Sequence, residues 1–167
     1  IIADRERDAF LSLSTDGARD QFIELFWKVR DPSPGSALNE FKEEHFRRLA
    51  YANDILGRGT ARPGWKTDRG RIYILLGKPR SISRYPPTLS TVAAEQWFYS
   101  GLDLPGVPPF LNLLFYRKDN VGEYALFVPG SDPLSDLLVA NAKLNTADAS
   151  FELLSQGEKA GAKVALF

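Results

Sequence analysis

A chain of 167 residues with 21 basic against 21 acidic side chains has the length of one domain and carries no global field to steer it to nucleic acid or an anionic membrane. It has no cysteine, which excludes disulfides, thiolate catalysis and zinc–cysteine sites. Its 44% hydrophobic content suits a globular core, yet no apolar run approaches the roughly 18 residues that cross a bilayer.

The opening IIADRERDAF lacks the pattern of a signal peptide and an initiator methionine, so a mature or excised fragment is expected. Residues 4 to 57 read as helical. Asp4 is a candidate cap for a short first helix carrying Phe10 and Leu11. Ser14 and Thr15 offer a second cap, with Asp16 in the first turn. The next helix places Phe22, Leu25, Phe26 and Val29 on one face. Ile23 and Trp27 widen that face, so burial over much of its circumference is expected. Asp31-Pro32-Ser33-Pro34-Gly35 breaks it, because a residue before proline avoids helical angles. A third helix is predicted from 38 to 56 on a seam of Leu38, Phe41, His45, Leu49, Ala52 and Leu56. The short break predicts an antiparallel helical hairpin.

A basic, glycine- and proline-containing loop follows, and then GWKTDRGRIYILLGKP, residues 64 to 79. Thr67 suits a helix N-cap, Asp68 the positive end of the dipole, Gly77 the C-terminal cap and Pro79 the stop. This punctuation predicts a helix over 68 to 76. The competing reading is a strand over Arg71 to Leu76, from the extended preference of Ile72, Tyr73 and Ile74, together with Gly70, which costs a helix about 1 kcal/mol. Strands are predicted over 81 to 85, 95 to 100, 111 to 117 and 123 to 128. Trp97 and Tyr99 take one face, as do Leu111, Leu113 and Phe115, and Tyr124, Leu126 and Val128. Asp132 and Pro133 open a predicted last helix, about 133 to 144. Residues 146 to 167 are weakly patterned. The expected fold is α+β: an N-terminal helical hairpin packed on a small antiparallel β-sheet meander, with a C-terminal helix. The expected domain is 1 to 145, with 146 to 167 as an extension.

The tetrad Gly64-Trp65 and Thr67-Asp68 resembles the signature of the GWxTD-domain family, bacterial proteins of unassigned biochemical role. The resemblance extends, in order, over Phe26-Trp27, Arg30-Asp31-Pro32, Pro34, Asn39-Glu40, Arg48, Tyr51-Ala52-Asn53, Arg69-Gly70-Arg71-Ile72-Tyr73-Ile74, Gly77, Pro79, Trp97 and Tyr99. It implies an exported, periplasmic or envelope-associated setting, protein partners there, and a longer multidomain parent chain. A second, fold-level resemblance is to small outer-membrane assembly lipoproteins, through Leu76-Gly77-Lys78-Pro79 followed by Trp97-Phe98-Tyr99.

The polar residues of this pattern form the candidate cluster: Arg30, Asp31, Asn39, Glu40, Arg48, Asn53, Trp65, Thr67, Asp68, Arg69 and Arg71. Asp31, Glu40 and Asp68 are possible paired carboxylates, but capping and ion pairing with Arg30, Arg48 and Arg69 explain them more simply. His45 is the sole histidine and lies on an apolar helix seam. It has no second histidine for a metal and no Gly-x-Ser-x-Gly elbow to serve. The loop over 57 to 64 is basic and precedes a helix, which suits an anion, but it lacks the P-loop ending. No cofactor and no metal is expected. The leading expectation is a non-catalytic domain that binds protein partners or supports assembly. One alternative is an enzyme or small-ligand binder using Asp31, Asp68, Arg69 and Arg71. Another is a carbohydrate-binding module with Trp65 or Trp97 as an exposed stacking platform.

Overall fold

In the computed structural model residues 2–139 are described. They fall in two compact units, Ile1–Ala50 and Tyr51–Phe167. The extension expected over 146–167 lies outside the described residues.

The first unit is helical: α1 (Asp4–Ser12), α2 (Asp16–Val29) and α3 (Glu40–Tyr51), whose last residue begins the second unit. Ala3, not Asp4, holds the cap position of α1. An alanine has no side-chain acceptor, so Glu6 reaches back to the Ala3 N–H at 2.9 Å. Thr15 caps α2 by accepting from Ala18 N, as its sequence predicts. Asn39 caps α3, whose first residue Glu40 falls two residues later than predicted, by accepting from Lys42 N at 2.9 Å while its amide donates to the Trp27 carbonyl at 2.7 Å. Trp27 lies 5.0 to 6.2 Å from the rings of Phe26, Phe41, His45 and Phe46. The expected burial of α2 does not hold: no residue of it is buried, and Leu25 is 58% and Val29 72% exposed. Three short helices alone supply no second layer for its outer side.

The second unit opens with a π-helical turn, Ala52–Leu56, where an α-helix running on to Leu56 was predicted. After a 3-10 turn, Gly64–Lys66, comes α4 (Asp68–Leu76), so the helix reading of this stretch is correct. Capping at both ends outweighs the strand preference of Ile72 to Ile74. The Thr67 hydroxyl accepts from Gly70 N at 3.1 Å, and Gly77, at φ 78°, donates to the Tyr73 carbonyl at 2.8 Å.

Four antiparallel strands follow in spatial order: β1 (Ser81–Tyr85), β2 (Ala94–Ser100), β3 (Phe110–Tyr116) and β4 (Ala125–Leu126). Period-two alternation builds two cores. On the α4 side, Leu56, Ile72 and Leu76 pack with Trp97, Tyr99, Leu111, Leu113 and Phe115. On the other side, Val92, Ala94, Leu114 and Tyr116 pack with Phe127 and Leu137. Burial there, with Asp132 and Asp136 nearby, pushes the Tyr116 phenol up to about 12. The last strand is shorter than predicted: Ala125 and Leu126 pair with Tyr116 and Phe115, and side chains take amides on the side away from β3. Asp68 accepts from Leu126 N at 2.8 Å, and Asp132 from Val128 N at 2.7 Å. The predicted helix from Pro133 is a 3-10 turn, Leu134–Leu137, followed by extended Leu138, which bridges Thr91. Its predicted remainder, 140–144, lies outside the described residues. Among the described residues no helix is long and apolar enough to cross a membrane.

Candidate functional site

The GWKTD stretch is built from close backbone contacts. A Cβ on Gly64 would overlap the Ala52 carbonyl oxygen, and one on Gly70 would overlap the Gly64 carbonyl oxygen. Glycine is therefore required where the π turn, the 3-10 turn and α4 meet. Asn53 accepts from Trp65 N at 3.1 Å, and the buried Thr67 hydroxyl donates to Gly64 O at 2.7 Å. Asp68 extends this knot to β4 through Leu126 N. Asn53, Trp65, Thr67 and Asp68 are thus brought together, and the side chains of Asn53, Thr67 and Asp68 are each used on backbone.

The pairings expected of the other cluster residues differ. Arg30 binds Glu6 of α1 through both carboxylate oxygens, at 2.7 and 2.8 Å, and lies 3.8 Å over the Phe26 ring. Arg30 thereby holds the Glu6 carboxyl below the usual range. Asp31 accepts from Ser33 N in the turn after α2. Glu40 faces Ser36 Oγ at 3.4 Å. Arg48 binds Glu44 at 2.6 Å, one helical turn away. Arg71 is exposed on α4. In each expected pair the arginine finds a carboxylate that the sequence pattern had not selected.

Arg69 leads to the most informative of these. Its Nη1 donates to Glu95 Oε2 at 3.2 Å, and its Nη2 reaches the Leu56 carbonyl at 3.4 Å. Glu95, on β2, is only 8% exposed. It also accepts from the Trp97 indole at 3.1 Å and from Arg84 Nε at 3.3 Å. A buried carboxylate is tolerated only with such partners. Sequence reasoning missed Glu95, although the signal existed. It shares the strand face of Trp97 and Tyr99, so its side chain had to point into the α4 core and needed a cation there.

Glu95 lies on the wall of a cleft of about 420 Å³. Stacked Tyr51 and Tyr73, 4.4 Å apart, form part of the lining with Ile55 and Leu56. Opposite runs the segment from Lys78 through β1, contributing Arg80, Ile82 and Arg84. Four cationic side chains, Arg69, Lys78, Arg80 and Arg84, share this cleft with one carboxylate, Glu95. Arg69 and Arg84 both use Glu95. Among the described residues no carboxylate pairs with Lys78 or Arg80. Lys78 and Arg80 were likewise absent from the sequence-based cluster, because nothing in a linear pattern shows that two basic residues lack counterions.

The other candidates separate cleanly. Trp97 is 1% exposed and is no stacking platform, whereas Trp65 is 45% exposed with Lys66 Nζ 5.0 Å from its ring centroid. His45 contacts Trp27 and Phe46, and its Nδ1 is buried with no hydrogen-bond partner among the described residues. Burial holds its pKa below the ordinary histidine value. Among the described residues no group of three histidine, aspartate or glutamate side chains is arranged to hold a metal.

Fold and cleft together define an α+β domain in which a helix capped by Thr67 covers one face of a four-stranded meander and leaves a basic cleft at its first strand. The model of the GWxTD domain matches residues 2–126, and the chain belongs to that family. No curated protein and no solved structure matches the chain.

Proposed function

We propose that this GWxTD domain is a non-catalytic binding module, and that its partner site is the cleft between α4 and β1. The observation that carries this reading is the pair Lys78 and Arg80, which line the cleft with no carboxylate partner among the described residues, beside half-exposed tyrosine and isoleucine side chains. Uncompensated charge at the rim of an aromatic-lined recess is the composition of a recognition surface. The carboxylate in the cleft, Glu95, already accepts from three side chains, and the one histidine, its pKa lowered by burial, lies against Trp27 and Phe46 with no hydrogen-bond partner at Nδ1 among the described residues. Neither supplies an acid or base aimed at a substrate. The family resemblance supports an exported or envelope-associated setting, so the partner is taken to be an envelope protein.

The test is a photo-crosslinking residue at Ile82, compared with one at Leu89, which is 97% exposed outside the cleft. Envelope fractions should give discrete protein adducts from position 82 alone, abolished in Lys78→Glu/Arg80→Glu. Equal labelling from both positions, or turnover of an envelope substrate by the folded domain that one point substitution removes, would sink the proposal. The cleft volume also falls within the range of small-ligand sites. An adduct-free domain whose cleft resonances shift with small anions would favour that second reading.

A further inference from the structure

Resting on the cleft as the partner site, we infer that the partner enters as an extended acidic segment that adds to β1 as a fifth strand. Among the described residues β1 is the terminal strand of the sheet, so one side of its backbone ladder faces away from β2. That edge and the cleft coincide, since Arg80, Ser81, Ile82 and Arg84 all line it. The register fixes which side chains the guest meets. Ile82 stands opposite Trp97 and Arg84 opposite Glu95, so both share the α4 face of the sheet. Arg80 precedes β1 and donates its backbone N–H to the Phe98 carbonyl at 2.8 Å, one residue off the Ser81–Phe98 register, so regular pairing ends there while its side chain still lines the cleft. Ile82 and Arg84 therefore share one face of β1, and Arg80, two residues earlier, lines the same cleft, giving a cation–apolar–cation row about 13 Å long along the chain.

The matching guest is a strand carrying acid, apolar and acid at alternate positions. Backbone bonds to the β1 edge would give affinity, and the alternating side chains would give selectivity. Arg84 is able to serve the guest while holding Glu95: its side chain is 71% exposed and a guanidinium has five donors. The same row argues against a second copy of this chain. Edge-to-edge pairing of two β1 strands would set these cations against one another, which is how edge strands repel their own kind.

The experiment titrates the isotope-labelled domain with acetyl-Thr-Glu-Thr-Val-Thr-Glu-Thr-amide at low salt. Four companions are used: a lysine-for-glutamate version, a version with the glutamates three apart, one with N-methylated threonines, and the Lys78→Glu/Arg80→Glu domain. The inference expects slowed amide exchange at 81–85 and saturable shifts. It expects about 10-fold or greater weakening for each altered peptide and for the variant domain. It also expects the variant to prefer the lysine peptide. Binding that ignores N-methylation and glutamate spacing would overturn the strand geometry and leave the cleft as a partner site, which the Ile82 adducts decide separately. Absence of binding by every peptide, or concentration-dependent dimerisation through 81–85 in sedimentation, would also overturn it.

Discussion

Around Gly64, polar groups are turned inward onto backbone: Asn53 onto Trp65 N, Thr67 onto Gly64 and Gly70, Asp68 onto Leu126 N. Along β1, in the same unit, Lys78 and Arg80 face outward with no carboxylate partner among the described residues. The first region has the family signature and the chemistry of a folding device. The second has no signature and the chemistry of recognition. A motif that names a family need not mark what the family binds. Here the signature sets the backbone that carries the proposed binding surface.

The contrast breaks first at Gly64. Gly64→Ala should cost about 4 kcal/mol or more, or prevent folding, because its Cβ would overlap backbone that cannot rotate away. Gly17→Ala is the control: a Cβ there meets nothing within 4 Å, and alanine should gain up to about 1 kcal/mol in a helix. Chemical denaturation of both variants reads the difference, and a cheap Gly64→Ala would end the folding-device account.

Glu95 is where the two regions touch, since it is buried like the first and lines the cleft of the second. Glu95→Gln should destabilise by about 3 kcal/mol, because Arg69 keeps its charge at 13% side-chain exposure with its ion partner gone. A loss below about 1 kcal/mol would show that Glu95 is held for the ligand and not for the fold. Asp68 gives a finer measurement. Asp68→Asn retains an acceptor for Leu126 N and should cost about 1 kcal/mol or less, while Asp68→Ala leaves that part-buried N–H unpaired and should cost about 1–3 kcal/mol. Equal losses would mean that the charge matters and not the hydrogen bond.

The helical unit supplies a pH test that leaves the cleft alone. Burial lowers the His45 pKa from 6.5 in the folded state, so the unfolded chain takes up a proton first as pH falls. Stability present above about pH 6.5 is then lost as pH falls through the folded value. Glu6 and Glu44 enter only below about 4.5. Arg30 lowers Glu6, and at Glu44 the Arg48 and Arg47 hydrogen bonds outweigh an upward push from burial. Between these limits the loss should belong to His45, and His45→Phe should flatten it. A slope unchanged by that substitution would contradict the burial assignment.

Much of the sheet was legible in the sequence because alternation is a short-range code: Trp97 and Tyr99 against Phe98, and Leu111, Leu113 and Phe115 together. The α4 reading rested on Thr67 and Gly77, which act within one turn of themselves. What failed was longer range. The π turn at Ala52–Leu56 arises where Gly64 backbone sits against Ala52, a contact no local propensity encodes. The ion-pair partners were not legible, because a motif shows which arginines are available but not their carboxylates, and Arg69 reaches Glu95, 26 positions away. The acceptor of the outward Leu126 amide was equally out of reach, because Asp68 lies 58 positions upstream. The cleft was invisible for the same reason, being defined by which cations lack a partner in three dimensions.

The smallest expected effect on stability is also the one that separates the two regions most sharply. Lys78 and Arg80 are exposed, and neither is ion-paired to a carboxylate among the described residues. Reversing both should change unfolding free energy by no more than about 0.5 kcal/mol, the usual range for surface substitutions. Relief of repulsion among four clustered cations even favours a slight gain. If the pair belonged to the fold, the loss would scale with that of Glu95→Gln, and adding salt would shrink it. Unchanged stability with altered partner capture assigns Lys78 and Arg80 to recognition, because a folding role cannot leave the folded fraction intact while the partner is lost.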